Sequence, residues 1–514
     1  PPMSPSVRLP RPEPGYNYEN EAQARRELER VIRSLPSTFS TATDDMIDPV
    51  ADYKCVGDGV TDDTTNLQAA LTAGGTLNRV VNGRNYVFKI SAALTMSGPG
   101  LIFNSAPHGD SGGCGILVTG TGYTALTVSA NPTFMRFTVR GTANAADGVL
   151  FQNPVLALVQ HVRVYNLAGF GIKINKCHDC IFGTLSTELC GTAAKYAFSV
   201  NDDGDTSNMS HFVRVQVEKA NTLAVEISPN TLSCVFDNIH SEQTTVTAGT
   251  TTWRLGGGSC HFNSGRFHAS GTTTNALFVV EGAHSVYTNL RVEDSIPVRL
   301  EAFSGTELTI ISPTFTGSVS VRTNTVGHIT VLGGLITTLA SAFIRDTGAG
   351  GPLRILTAIG TRITTLTVGD CMNPPNADLA MFVGCHIGTL GTSSTLSAAT
   401  FLDCSINSAG NLLQGFTLIR GGFITVGTMQ AVGPLRAFGA KFIGNVTYTG
   451  YELFDPGCSA TGTITGATAP TQGTWLAGEL TKLLSTGVTW RCTTGGTPGT
   501  WVAGTGASAG TLTL

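Results

Sequence analysis

Residues 180–293 contain one nine-residue pattern five times. The copies are CIFGTLSTE (Cys180–Glu188), SHFVRVQVE (Ser210–Glu218), CVFDNIHSE (Cys234–Glu242), CHFNSGRFH (Cys260–His268) and SVYTNLRVE (Ser285–Glu293). The first position is Cys or Ser, the third is aromatic, the sixth is mostly aliphatic, and the ninth is Glu with one His. With looser copies up to residue 443 the pattern occurs about twelve times at roughly 24-residue spacing, which is typical of solenoids and other repeat arrays.

The looser copies keep the third, sixth and eighth positions of the pattern. They are Ile310/Pro313/Phe315, Val331/Gly334/Ile336, Ala358/Thr361/Ile363, Phe382/Cys385/Ile387, Phe401/Cys404/Ile406, Leu418/Gly421/Phe423 and Ala437/Ala440/Phe442. A coil this short buries an apolar face only by stacking on its neighbours, which places equivalent side chains above one another. With 62 Gly and 13% charged residues, the composition fits short strands and many turns. The sequence therefore predicts an all-β fold, a right-handed, single-stranded parallel β-helix.

The pattern also predicts which side chains fill the tube. We expect one column of stacked rings, beside a column of Cys and Ser. The rings belong to Phe182, Phe212, Phe236, Phe262 and Tyr287. Twelve cysteines, including Cys177 and Cys180, invite a zinc or disulfide interpretation. Because Ser replaces Cys in the same column, small buried thiols are the better interpretation, and we expect no metal and no cofactor.

Composition also limits the partners. The net charge is −4 and the basic residues are not clustered within the repeats, which argues against nucleic-acid binding. The sequence has no apolar stretch of bilayer length, so membrane insertion is not expected. The first residues, Pro-Pro-Met-Ser-Pro, lack the basic start and apolar run of a signal peptide, which predicts synthesis in a cytoplasm.

Residues 1–50 form a separate segment, a Pro-rich arm followed by a predicted helix over residues 17–35. Its apolar stripe is narrow, its other positions are charged, and Pro36 ends it. The stripe consists of Ala24, Leu28, Val31, Ile32 and Leu35. Such a stripe suits a coiled coil or docking onto another protein. Packing against the chain's own β-helix is an equally good interpretation.

Residues 51–71 carry a more specific signal. A short strand is followed by GDGVTDDT (Gly57–Thr64) and then by a helix with Leu67, Ala70 and Leu71 on one side. This sequence resembles the opening motif of the pectate-lyase-like β-helix superfamily, most closely the branch in bacteriophage tailspikes and tail fibres. The resemblance implies that residues 51–75 cap the N-terminal mouth of a β-helix over residues 76–455. Asp62 or Asp63 is expected to cap the helix.

Residues 456–514 differ from the repeats in composition. They are rich in Gly, Thr and Ala, and three of the four tryptophans lie between residues 475 and 501. The segment over residues 487–501 resembles short β-rich tails of phage fibre proteins. Trp490 and Trp501 are candidate glycan-binding residues, because indole rings stack on sugars. The alternative is that they form the core of a small trimeric β-structure, since a short strand-rich tail does not bury a core alone.

The resemblance implies a function as well as a fold. It implies a homotrimeric tailspike or tail fibre, located in the virion tail, that is held by tail or adaptor proteins through residues 1–35. Such a protein binds host cell-surface polysaccharide and either cleaves it or only holds it. Two alternatives remain open, a free polysaccharide lyase or hydrolase and a structural tail component without glycan activity, since this superfamily supports several functions.

The ninth position supplies the candidate catalytic residues. Stacked strands are about 4.8 Å apart, so carboxylates in this column approach the separations that glycoside hydrolysis requires. A loop over residues 201–208 adds further acidic side chains. The candidates are Glu188, Asp203, Asp205, Glu218 and Glu242. The alternative is a solvated surface row balanced by Lys219 or Arg291. We find no motif matching the calcium cluster and Arg base of pectate lyases, so the resemblance transfers no catalytic residue.

Overall fold

The computed structural model describes most of the chain from residue 46 to residue 503. The predicted helix over residues 17–35 and the acidic residues Asp203 and Asp205 lie outside the described residues. The described ranges are 46–104, 113–129, 131–200, 206–243, 251–269, 277–302, 307–324, 327–346, 356–367, 380–390, 399–407, 417–431, 435–448, 452–454, 459–460, 464–465, 480–482, 489–494 and 500–503.

The described residues form two helices and a long series of short strands. The N-terminal elements are α1 (Pro49–Tyr53), β1 (Asp58–Asp62), α2 (Thr64–Leu77), β2 (Val81–Asn82), β3 (Val87–Ile90), β4 (Leu94–Met96), β5 (Gly100–Ile102), β6 (Gly115–Val118), β7 (Thr124–Val128), β8 (Phe134–Asn144), β9 (Asp147–Gln152), β10 (Leu158–Leu167) and β11 (Ile172–Asn175).

The middle strands, which carry the exact repeats, are β12 (Ile181–Glu188), β13 (Phe198–Val200), β14 (Ser207–Asn208), β15 (His211–Glu218), β16 (Val225–Ile227), β17 (Thr231–Leu232), β18 (Val235–Phe236), β19 (Ile239–Gln243), β20 (Thr251–Leu255), β21 (His261–Phe262), β22 (Gly265–Ala269), β23 (Leu277–Gly282), β24 (Ser285–Thr288), β25 (Leu290–Val292), β26 (Val298–Ala302), β27 (Glu307–Ile311), β28 (Thr314–Asn324), β29 (His328–Leu332) and β30 (Leu335–Asp346).

The remaining strands are β31 (Leu356–Ile359), β32 (Arg362–Thr367), β33 (Ala380–Val383), β34 (His386–Leu390), β35 (Ala399–Leu402), β36 (Ser405–Ile406), β37 (Thr417–Arg420), β38 (Phe423–Ala431), β39 (Leu435–Phe438), β40 (Lys441–Tyr448), β41 (Glu452–Phe454), β42 (Ser459–Ala460), β43 (Ile464–Thr465), β44 (Leu480–Lys482), β45 (Thr489–Thr494) and β46 (Thr500–Ala503).

Nearly all of these strands pair in parallel with the equivalent strand one coil later, which confirms the predicted parallel β-helix. Three ladders result. The first contains the aromatic position and runs through β18, β21, β24, β27, β29 and β31. The second contains the ninth position and runs through β19, β22, β25 and β28. The third runs through β11, β13, β16, β20 and β23.

The predicted aromatic column is confirmed. The rings of Phe182, Phe212, Phe236, Phe262 and Tyr287 lie on consecutive rungs. Their centroids are 4.9, 4.5, 4.8 and 4.3 Å apart in that order, and each pair is within 10° of parallel. All five side chains are at most 3% exposed. The ring column is therefore a continuous part of the tube's core.

In one of the looser repeats the prediction is wrong by one residue. The sequence predicts Leu418 and Phe423 in the buried columns, but the register places Ile419 beside Phe401 and Ile424 beside Ile406. Ile419 and Ile424 are each 2% exposed, whereas Phe423 is 55% exposed. Because side chains alternate between the two faces of a strand, a one-residue error moves each predicted core residue to the outside.

The cysteines whose side chains the structure describes lie in the core, as the column shared by Cys and Ser predicts. Cys180, Cys234 and Cys260 are buried with free thiols. The amide of Cys180 donates to the hydroxyl of Ser210 on the next rung, 3.2 Å away. Burial raises the pKa of Cys177 to about 12, so this thiol stays protonated at neutral pH. These cysteines are small packing residues of the repeat.

Helix α2 lies at the start of the tube and buries Leu67, Ala70 and Leu71 against β2, β3 and β4. The predicted capping by aspartate is divided between two residues. The Asp62 carboxylate accepts from the amide of Thr64, 3.0 Å away. Asp63 occupies the N-cap position, but its carboxylate does not bond the helix. It accepts from the amides of Val56 and Gly57, at 2.6 and 3.0 Å, and so fixes the preceding loop.

The C-terminal segment is paired in two ways: β42 and β43 still pair in parallel with β40, as in the tube, whereas the later strands do not. Strands β44, β45 and β46 are antiparallel and form a separate three-stranded sheet. The described part of residues 456–514 is thus β-structured, as its sequence suggests. Within the described ranges the longest helix has 14 residues, and no helix has the length and apolarity that a membrane span requires.

Candidate functional site

The ninth position of the repeat forms a row on the outside of the second ladder. The register places Glu188 beside Glu218, Glu218 beside Glu242, and Glu242 beside His268. Each of these residues follows a buried one on its strand, and alternation therefore turns it outward. Three of the five candidate catalytic residues therefore lie on consecutive rungs, whose backbones are about 4.8 Å apart.

A second outward column runs beside this row, two residues earlier on each strand. Its members pair from rung to rung and carry hydrogen-bonding groups throughout. They are Arg163, Ser186, Gln216, His240, Arg266 and Arg291. We call the two columns together, from Arg163 and Tyr165 to Arg291 and Glu293, the polar face. It spans six rungs, roughly 24 Å at about 4.8 Å each.

The upper end of the polar face is held together by ion pairs. Glu188 contacts Arg163 at 3.0 Å and Lys219 at 3.1 Å, through different carboxylate oxygens. Burial opposes its ionisation, but the hydrogen bonds from Lys219 and Arg163 outweigh that effect and lower the pKa of Glu188. The Arg163 guanidinium also lies 5.1 Å from the ring centroid of Tyr165. Tyr165 thereby presents a half-buried ring at the top of the row.

The middle of the face combines two carboxylates with one cation. The Gln216 amide donates to the carboxylate of Glu218, on the same strand. The hydrogen bond with Glu188 raises the pKa of Lys219, and the charges of Glu218 and Glu242 add to this effect. Lys219 is half-exposed and carries a left-handed backbone, with φ of 48°. Its ammonium group reaches back one rung to the carboxylate of Glu188.

The lower end is also charge-balanced. Glu293 contacts Arg266 at 3.0 Å and also Arg291, and His268 lies between Glu293 and Asp294. Burial opposes ionisation here too, but the hydrogen bond from Arg266 and the charge of Arg291 outweigh it and lower the pKa of Glu293. Both ends of the row thus carry ionised carboxylates at neutral pH.

This electrostatic pattern limits the chemistry. A general acid for glycoside cleavage needs a carboxyl group that is protonated near neutral pH, so its pKa must be raised. Glu188 and Glu293 have lowered pKa values, which suits binding, or at most a base or nucleophile. Glu218 and Glu242, which the register places beside each other, are the candidates in the row for a catalytic pair. Asp203 and Asp205 lie outside the described residues, so their distance from the row is not defined.

Another carboxylate cluster, which sequence reasoning missed, lies on the third ladder. Glu281 and Glu301 are paired on adjacent rungs and are 3% and 9% exposed. Burial raises the pKa of Glu281, although its ion pair with Arg254 opposes the shift. The sequence indicates this cluster by a glutamate within each of two largely apolar strands, FVVEG over residues 278–282 and VRLEA over residues 298–302. Because Glu281 is almost completely enclosed, it does not reach a bound polymer in this conformation.

The predicted tryptophans lie on the antiparallel sheet. Trp490 is on β45, opposite Ala503, and Trp501 is on β46, opposite Cys492. The two residues therefore belong to neighbouring strands. The positions of their side chains lie outside the described part of the structure, so the choice between sugar stacking and a trimer core stays a prediction.

Comparisons with known proteins add little to this geometry. No family model matches the chain, and no curated protein sequence matches it. Among solved structures, the chain aligns with ORF18 of Geobacillus virus E2 over 96% of its own length and 81% of that chain, with 12% identity and a TM-score of 0.30. A likeness at that score carries no argument about function, which rests instead on the polar face and the fold.

Proposed function

We propose that this chain is a subunit of a homotrimeric phage tailspike or tail fibre that binds host cell-surface polysaccharide along the polar face. The observation that carries the proposal is the pair of outward columns from Tyr165 to Glu293. They place carboxylates, guanidinium groups and an amide at regular spacing on six consecutive rungs. Sugar hydroxyls both donate and accept, so a linear polymer finds partners at every rung.

Three features support a binding function. The ion pairs of Glu188 and Glu293 fix the side chains before a ligand arrives, which reduces the entropy lost on binding. The half-buried ring of Tyr165 offers an apolar platform for one sugar face. The resemblance of residues 57–71 to the opening of phage β-helix proteins supports the virion tail as its location and residues 1–35 as its attachment to tail or adaptor proteins.

The test compares two arginines in one column of the second ladder. Arg291 belongs to the polar face, and Arg362 lies three rungs further along, outside it. Purified protein is titrated with a panel of capsule and lipopolysaccharide preparations. For the preparation that binds, Arg291→Ala should weaken affinity roughly tenfold, which corresponds to one charge-assisted hydrogen bond. Arg362→Ala should leave affinity within about twofold of the wild type.

Two results would count against a glycan-binding face. One is the absence of binding to any preparation from a host that the intact virion adsorbs to. The other is an equal effect of Arg291→Ala and Arg362→Ala, which would place the binding surface elsewhere.

Cleavage of the same polymer is a second candidate function, supported by the adjacent carboxylates of Glu218 and Glu242. Carboxylates on neighbouring rungs have backbones about 4.8 Å apart, close to the separation of about 5–5.5 Å between the two carboxyl groups of retaining glycosidases. Glu218→Gln should then abolish release of oligosaccharide while glycan affinity and trimer mass stay unchanged. Full activity in Gln variants at Glu188, Glu218 and Glu242 would exclude the row as a catalytic site.

A further inference from the structure

The outside of the first ladder changes character along the tube. From β27 to β35, the residue after the buried core position is aliphatic on five consecutive rungs. These residues pair with one another and face outward. They are Ile311, Leu332, Ile359, Val383 and Leu402. Ile359 is 41% exposed although it lies in the middle of the column. We call these five residues the aliphatic strip.

The column beside the strip is also uncharged. Two residues earlier on each strand lie Thr309, Thr330, Thr357, Met381 and Thr400, of which Thr357 and Thr400 are only 7% and 3% exposed. Thus none of these ten paired positions carries an ionisable side chain. On each of the next two rungs one of the two equivalent positions is an arginine, Arg420 beside Leu418 and Arg436 beside Phe438, so the uncharged surface ends at Leu402. Ionisable residues begin at the margin, where Glu307 and His328 start their strands.

Other parts of the tube do not share this property. Earlier on the same ladder, Asp237 contacts His211 and Asn263, each at 2.6 Å, and forms a polar cluster. At the height of the aliphatic strip, the second ladder presents Arg362 and His386 outward. In the part of the chain that the structure describes, these five uncharged rungs on the first ladder thus differ both from the earlier coils of that ladder and from the second ladder at the same height, which is typical of a contact surface rather than of a solvated sheet.

We propose that the aliphatic strip is the surface through which copies of this chain contact one another, side by side and in parallel. This inference rests on the homotrimer of the proposed function and names the face that forms it. In a parallel trimer around an axis along the tube, equal rungs meet at equal height and the residues next to the axis face their own copies, so a charge there would be repelled by its own copies. The aliphatic strip and the uncharged column beside it avoid that repulsion. A carboxylate in the same column, such as that of Asp237, would be repelled.

The size and chemistry of the surface fit a contact with other copies of this chain. Five rungs spaced about 4.8 Å apart and strands about 13 Å long give a flat area of roughly 250 Å². That is about a third of the roughly 800 Å² that each partner contributes to a standard interface, which fits an apolar centre surrounded by a polar rim. A polysaccharide is a poor occupant, because the surface lacks the charged and amide groups that bond several hydroxyls.

The test measures the mass of the full-length protein by light scattering during size-exclusion chromatography. We expect a trimer for the wild type and a shift to monomer for Ile359→Glu and Leu332→Glu, because either change places three like charges at one height. Arg362→Glu is the matched control, since Arg362 lies in the same coil as Ile359 but on the second ladder. It should keep the trimer.

Two further variants keep the test decisive if a Glu variant does not fold. Ile359→Thr is β-branched and neutral, so it fits the strand and should weaken association at least tenfold in dilution experiments. Ile359→Cys should form a disulfide between chains under mild oxidation, and Arg362→Cys should not. A monomeric wild type would overturn the proposal, and so would a trimer that all Ile359 and Leu332 variants leave intact.

Glycan titration separates this proposal from the proposed function. The polar face lies on the second ladder, so a monomeric Ile359→Glu protein should keep the affinity of a single chain for the polymer. A wild-type trimer that dissociates in the Ile359 variants but binds no polysaccharide would support the aliphatic strip and contradict the glycan-binding function. A wild-type monomer that binds polysaccharide would do the reverse.

Discussion

The stacked rings of the aromatic column contribute both buried area and specific ring contacts. Phe236 lies between Phe212 and Phe262, at centroid distances of 4.5 and 4.8 Å and nearly parallel to both. Each ring therefore covers the faces of its neighbours, and its removal would expose two other rings as well as the cavity it leaves. The column stabilises the tube only while it is continuous.

Replacing a ring in this column should be costly. Phe236→Ala should reduce the free energy of unfolding by about 3–5 kcal/mol, because it removes a fully buried aromatic side chain and leaves a cavity. Phe423→Ala is the matched control, since that ring is 55% exposed, and it should change stability by less than about 0.5 kcal/mol. Denaturant unfolding followed by tryptophan fluorescence and circular dichroism measures both. Equal costs for the two variants would contradict the assigned register.

Two carboxyl groups should make the stability depend on pH in opposite directions. The pKa of Glu188 is lowered from 4.5, so its contribution is complete above the unfolded value and is lost as pH falls through the folded value. The pKa of Glu281 is raised from 4.5, so its contribution is present below the unfolded value and is lost as pH rises through the folded value.

Melting temperatures of single variants between pH 3 and pH 8 check these signs. Glu188→Gln should lose less stability than the wild type as pH falls below 4.5, because the ionised group that protonation would remove is already absent. Glu281→Gln should lose less stability than the wild type as pH rises above 4.5. Parallel curves for either variant and the wild type would show that the residue does not contribute in the direction given.

At the scale of the element, one corner of the tube is built from left-handed residues. Seven successive coils place a residue with positive φ two positions after the aromatic column. They are Ser312, Gly333, Gly360, Gly384, Asp403, Gly421 and Gly439. From Ser312 to Gly421, the amide of each of these residues donates to the carbonyl of the residue that precedes the equivalent corner one coil later, at 2.7 or 2.8 Å. The corner therefore repeats because its backbone conformation repeats.

Glycine should be more stable than other residues at this corner because it adopts a positive φ without strain. An added Cβ at Gly384 meets nothing within 4 Å, and its φ is 58°, so Gly384→Ala tests conformation without a clash. The variant should lose about 1–2 kcal/mol of stability, since an L-residue pays that cost in the left-handed region. Asp403→Gly, at the equivalent corner one coil later, should be neutral or stabilising. Denaturant midpoints check both, and a neutral Gly384→Ala would contradict the assigned backbone.

Sequence reasoning recovered the columns in which residue type is distinctive. Aromatic rings, small Cys or Ser and terminal Glu mark three positions, and all three have the predicted register from Phe182 to Tyr287. The prediction from the sequence is wrong where two alignments of a repeat place equally apolar residues in the core. Gly421 and Gly422 are adjacent, so either fits the corner, and the error exchanged Leu418 for Ile419. Hydrogen-bonded register, which depends on the neighbouring coil, decides between the two placements.

The candidate site was less predictable than the fold. The acidic row follows from repeat spacing, but the ion pairs of Glu188 do not. Arg163 and Lys219 lie one rung before and one rung after Glu188, and Lys219 reaches it because its backbone is left-handed. Likewise, the pairing of Glu281 with Glu301 depends on where the third ladder begins in each coil, and the variable loops before it hide that from a repeat alignment.

At the scale of the whole molecule, the net charge is only −4, but the charged outer residues are unevenly distributed along the tube. The coils around residues 163–293 carry the polar face, with its paired acids and bases. The coils around residues 309–402 carry the aliphatic strip on another ladder. Each coil contacts mainly its two neighbours, so one end of a solenoid tolerates a different outer chemistry from the other. The same one-dimensional packing determines how mutations should combine.

Paired substitutions in the aromatic columns test that one-dimensional packing. Phe236 and Phe262 are stacked at 4.8 Å, whereas Phe236 and Phe401 lie seven rungs apart, roughly 34 Å at about 4.8 Å each. Phe236→Ala and Phe262→Ala should be non-additive by about 0.5–3 kcal/mol, because the two rings share a contact and their cavities merge. Phe236→Ala and Phe401→Ala should add within about 0.5 kcal/mol. Hydrogen exchange of amides in each coil locates the loss of stability. Strong coupling between the distant pair would mean that the tube unfolds as one rigid unit rather than as a chain of neighbouring coils.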